Sequence, residues 1–74
     1  MTAQQKLDRI NQMLNEGWDC YISTAYRATR ITPRNAAKWA AAGRALLCVI
    51  DGHLMLASGS KYLIADHTTI RFAR

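Results

Sequence analysis

TPRNAAKWAAAGRALLCVIDGHLMLA, residues 32–57, holds the change of period that decides the fold. Thr32 offers a hydroxyl to cap a helix, and Pro33 follows at a position where a missing amide proton is harmless. Ala36, Ala37, Ala40, Ala41 and Ala42 favour helix until Gly43 stops it, so a helix is predicted over Pro33–Ala42. Beyond Gly43 the pattern becomes two short apolar runs, Leu46–Ile50 and His53–Ala57, separated by Asp51-Gly52. Asp-Gly between such runs is a strong signal for a two-residue hairpin turn. A capped helix running into a hairpin predicts an α+β chain.

Working outward, Ala3, Leu7, Ile10 and Leu14 recur at spacings of three and four, which predicts an amphipathic helix from Thr2 or Ala3 to Glu16. Thr2 caps it and Gly17 ends it. Its other face, Gln4, Gln5, Asp8, Arg9, Gln12 and Glu16, is left to solvent. Trp18 to Ile22 carries aromatic and branched residues that suit a strand, whereas Ser23 followed by Thr24, Ala25, Tyr26, Arg27 and Ala28 suits the start of a helix; the reading favoured is a turn or extended link leading into a short helix from Thr24 to about Thr29. Ser58, Gly59 and Ser60 make a turn, Lys61–Ile64 a third strand, and Thr69–Ala73 a fourth or an edge strand, because Ile70 and Phe72 alternate with Arg71 and Ala73.

The 74 residues make one domain, 1–74, with half of its residues apolar and a net charge of +5. A chain this short buries only about 60% of its unfolded surface, which argues against a large catalytic cleft. The basic excess is local: Arg27, Arg30, Arg34, Lys38 and Arg44 lie between 27 and 44 with no acid among them, the pattern expected of a polyanion-binding surface. Cys20 and Cys48 are too few for a disulfide scaffold, and the opening residues lack the features of a signal peptide. The chain therefore reads as cytoplasmic with free thiols. No apolar stretch approaches the roughly 20 residues that span a bilayer, so no membrane partner is expected.

The segment from Ile22 to Gly43 resembles the helix-turn-helix of excisionase-like and MerR-like winged-helix DNA-binding proteins. Ile22 is similar to the apolar residue before the first helix, Ser23 to its cap, and Ala25 to the small residue packed against the second helix. Ile31 and Thr32 resemble the turn, Trp39 with Gly43 the close of the recognition helix, and the hairpin over 46–57 the wing. The resemblance implies a small winged-helix-like α+β domain, with N-terminal helices followed by a β-hairpin and one or two short strands. It implies binding of double-stranded DNA, as a transcriptional regulator or recombination accessory factor, with helix 33–42 in the major groove.

On that reading Arg34, Asn35 and Lys38 approach base edges or phosphates. Arg27, Arg30 and Arg44 flank them as phosphate contacts, and His53 and Lys61 reach the adjacent backbone or minor groove. A homodimer would suit paired half-sites. The competing reading is a small inhibitor or adaptor that binds a nucleic-acid-handling protein partner through the same charge, with Trp18 or Tyr62 as an exposed apolar anchor. Trp39 is expected in the core, and Trp18 and Tyr21 over the first helix. Asp8, Glu16, Asp19, Asp51, Asp66, His53, His67, Cys20 and Cys48 form no acid–base or nucleophile signature and no close pairs of metal-ligand spacing, so neither an enzyme nor a metal or other cofactor is expected.

Overall fold

The computed structural model describes residues 2–23, 28–58, 60–64 and 68–74, with the backbone alone at 57, 58 and 60–62. Its first element, α1, spans Ala3–Asn15. Thr2 Oγ1 accepts from the Gln5 amide at 3.1 Å, and Gln5 Oε1 accepts from the Thr2 amide at 2.8 Å. This reciprocal capping box satisfies two amides that the first turn would otherwise leave unpaired. The helix ends at Gly17, whose φ of 90° is left-handed. There the Gly17 amide donates to Leu14 O and the Trp18 amide to Met13 O, the paired bonds of a Schellman motif.

Two antiparallel three-stranded sheets follow. Strand β1, Asp19–Ser23, lies between β2, Ala28–Ile31, and β6, Thr69–Ala73. The second sheet has the order β3, Leu47–Ile50, β4, His53–Ser58, and β5, Ser60–Leu63. Between β3 and β4, Asp51 and Gly52 both adopt positive φ, 52° and 77°. That is the left-handed two-residue turn whose twist matches a hairpin. Helix α2, Pro33–Ala41, joins the sheets.

Alternation in each strand sends one row of side chains towards α1. Cys20, Ile22 and Ile31 from the first sheet and Leu47, Leu54, Leu56 and Ile64 from the second enclose Ile10 and Leu14 of α1. Ala3 and Leu7 pack against this cluster, as do Val49, Ile70 and Phe72. Helix α1 touches β1, β3 and β4 and so ties the sheets to one core. The result is a small compact α+β domain measuring 26 × 25 × 23 Å. No helix among the described residues is long and apolar enough to cross a membrane.

The first helix, the helix after Thr32, the 51–52 turn and all four downstream strand expectations correspond to observed elements, with bounds shifted by a residue or so. The short helix expected from Thr24 to about Thr29 is corrected at its end, where Ala28 and Thr29 are strand. Ser23 ends one strand, and Ala28 and Thr29 begin another, in register with Ser23 and Ile22 respectively. Residues 24–27 lie outside the described residues, as does Gly59 of the 58–60 turn. The physical reason is pairing: β1 carries alternating Cys20 and Ile22 that are buried against α1, and a strand on each side satisfies its backbone.

Candidate nucleic-acid interface

Helix α2 is built to project. The Thr32 hydroxyl accepts from the Asn35 amide at 3.1 Å, and Pro33 occupies the first turn. At its far end Gly43, at φ 72°, and Arg44 donate to Ala40 O and Trp39 O, repeating the α1 termination. Both ends are therefore fixed by local bonds, and the helix buries no residue fully. Ala36 packs against the core cluster, while Arg34, Asn35 and Lys38 are exposed. Spacings of three and four put these three side chains on one face.

The charge on that face acts both ways on the helix itself, since Lys38 in the last turn complements the dipole. Arg34 stands in the first turn, where the dipole repels cations, and Lys38 is its like-charged neighbour four residues on. No acidic residue occurs in α2, and among the described residues Arg34, Lys38 and Arg44 have no carboxylate partner. Arg44 lies with its guanidinium 5.7 Å from the centre of the Trp39 ring. Trp39 is thus only half-buried, correcting the expectation that it fills the core. Helix α2 meets α1 and the core through its small residues, Ala36 among them. Between the two helices they leave a cleft of 380 Å³ lined by Leu14, Ala36 and Ala40.

The other expected contacts are dispersed. Arg27 lies outside the described residues. His53 is exposed at the start of β4 beside the hairpin turn, and Lys61 pairs with Ala57 along β5, a position where the backbone alone is described. Arg30 points from the outer face of the first sheet, where its Nε and Nη2 both donate to Asp19 Oδ2 at 3.1 and 2.7 Å. That hydrogen bond, with the charges of Tyr21 and Asp19, holds the guanidinium above its ordinary pKa.

The outer face of this sheet was not anticipated. Because Cys20 and Ile22 point inward, Tyr21 points away from α1 rather than covering it. Its neighbours in register are Arg30 on one side and Arg71 on the other, with their guanidiniums 5.9 and 4.9 Å from the ring centre. At the end of the sheet Arg74 stands 4.2 Å from the centre of the Trp18 ring and donates to Glu16 O at 3.2 Å. A cation there also complements the C-terminal dipole of α1. The alternation in 69–73 was visible in sequence; its pairing with 19–23 was not.

Burial pushes the Cys20 thiol up from 9.0 to about 11, which suppresses the thiolate form at neutral pH. Among the described residues no three His, Cys, Asp or Glu side chains gather so as to hold a metal ion. No protein-family model matches the chain, and no curated protein or solved structure matches it either.

Proposed function

We propose that the protein binds double-stranded DNA, with the exposed face of α2 lying against the major groove and the β3–β4 hairpin alongside. The observation that carries this reading is the convergence of Arg34, Asn35 and Lys38 on one face of a helix that has no acid of its own. Arginine forms a forked pair with guanine acceptors, asparagine with adenine, and lysine supplies a point charge to phosphate. Arg44, just past the helix end, adds a phosphate contact. A role in transcription regulation or as a recombination accessory factor extends this reading through the resemblance of Ile22 to Gly43, although strands take Ile22 and Ser23 before its first helix and Ala28 and Thr29 at that helix's end. Support for the protein-binding alternative is weaker, since Trp18, one of its two expected anchors, is half-buried rather than exposed, and at the other, Tyr62, the backbone alone is described.

Fluorescence anisotropy with a labelled random-sequence duplex at about 50 and 200 mM salt tests the proposal. Binding should fall steeply with salt. The double variant Arg34→Ala/Lys38→Ala should flatten the logarithmic slope by about two, near 0.9 for each lost phosphate contact, while Arg9→Ala on α1 leaves it unchanged. Absence of binding at the lower salt, or a double variant that binds as the parent does, overturns the assignment.

A further inference from the structure

We infer that the outer face of the β2-β1-β6 sheet is a second binding surface, for single-stranded nucleic acid, with Tyr21 between Arg30 and Arg71 at its centre. The inference does not rest on the duplex reading, because it uses different elements and different side chains.

Three observations carry it. First, Arg71, Tyr21 and Arg30 form one cross-strand row on the face opposite the core, and among the described residues no helix covers that row: α1 packs on the inner side, where Cys20 and Ile22 are buried. The half-buried Tyr21 ring backs the two exposed guanidiniums that lie over it, so the flat surfaces turned to solvent are those of Arg30 and Arg71. Bases that are not engaged in a duplex stack on such rings and on arginine planes, with little dependence on sequence.

Second, the face is positive. Arg30 and Arg71 stand against one carboxylate, Asp19, and among the described residues Arg71 makes no ion pair. A polyanion neutralises this excess, whereas a neutral apolar partner leaves it desolvated.

Third, one of the cations is positioned before a ligand arrives. Asp19 takes two donors of Arg30 on a single oxygen, which fixes the guanidinium while leaving Nη1 outside this pair. Side chains already ordered lose less entropy on binding. A flat face also differs in shape from α2: it offers a track for a strand with splayed bases rather than a rod for a groove.

The test uses labelled oligothymidylate and oligouridylate about twelve nucleotides long, an abasic oligomer of the same length, and the full-length protein. Binding of either pyrimidine strand, with the abasic strand at least about fivefold weaker, is expected from the share that stacking contributes. Tyr21→Ala should weaken binding about 5- to 100-fold and Tyr21→Phe should restore it, since the ring and not the hydroxyl is used. Circular dichroism and the thermal midpoint establish that the variants fold. Arg71→Ala provides an independent readout should Tyr21→Ala fail to fold, by weakening binding and flattening the salt slope. Arg34→Ala/Lys38→Ala should leave single-strand affinity within about twofold of the parent, which separates this surface from α2. The inference is overturned if neither strand binds at about 50 mM salt, if the abasic strand binds as well as the pyrimidine strands, or if folded Tyr21→Ala binds as the parent does.

Discussion

Replacing Ile10 by alanine tests whether α1 is the element that unites the sheets. Ile10 is 1% exposed and lies in one cluster with residues of both sheets. The substitution removes three carbons, worth about 2.4 kcal/mol at about 0.8 kcal/mol for each buried methylene. The residual cavity adds to this, because strands paired on both edges of β1 and of β4 cannot collapse freely into the gap. A loss of about 3 to 4 kcal/mol is expected, within the roughly 2 to 5 seen for such changes. A 74-residue domain has about 4 to 11 kcal/mol in total, so the variant should be marginal. Urea and thermal unfolding followed by far-ultraviolet circular dichroism measure the loss, and the thermal midpoint should drop by about 15 °C or more. Ile50→Ala is the control: Ile50 is 37% exposed beside the hairpin turn and should cost under about 1 kcal/mol. Equal losses from the two variants, or an Ile10→Ala protein within about 1 kcal/mol of the parent, would refute the placement of the core.

Gly52→Ala should destabilise by about 1 kcal/mol in urea unfolding, from the backbone alone, because φ is 77° and an added Cβ meets nothing within 4 Å; an unchanged midpoint would contradict the left-handed turn. Trp39→Ala should cost about 1 to 2 kcal/mol, well below the 3 to 5 of a buried tryptophan, and a larger loss would mean that α2 sits deeper than described. In the native protein a thiol reagent at mild pH should modify half-buried Cys48 and spare Cys20 until unfolding; equal rates would contradict the burial of Cys20. The raised Cys20 pKa favours the neutral thiol in the fold. Its contribution is therefore present below pH 9.0 and lost as pH rises through about 11, and Cys20→Ala should lose less stability than the parent across that window in pH-dependent thermal unfolding.

Local signals were legible wherever a residue determines its own backbone. Thr2, Gly17, Thr32, Pro33 and Gly43 mark helix ends through caps and left-handed conformations, and Asp51-Gly52 marks its hairpin. The capping box between Thr2 and Gln5 was also present in the spacing. What failed was non-local. Ala28 and Thr29 were drawn into a predicted helix by the tract before them, whereas pairing with Ile22 and Ser23 makes them strand. Trp39 was assigned to the core on size, but a helix with alanine on its inner side stays off the centre and leaves the ring against Arg44. The row of Arg30, Tyr21 and Arg71 depends on which strands neighbour β1, and no periodicity within 19–23 specifies that. The α2 surface could be read early because Arg34, Asn35 and Lys38 need only the helix to come together.

The position of β1 between β2 and β6 also sets an order of events during folding. The β3–β4 hairpin closes across two residues and can form within microseconds. The pairing of β1 with β6 instead joins Asp19 to Ala73 and Ser23 to Thr69, across about two thirds of the chain. Closing a loop of that length costs on the order of 3 to 4 kcal/mol before any contact offsets it. During synthesis β1 therefore keeps one edge unpaired until residues 69–73 have been made. In that interval Ile22 lacks the cover of Ile70, and the nascent chain presents an open strand edge suited to a chaperone or to a neighbouring nascent chain.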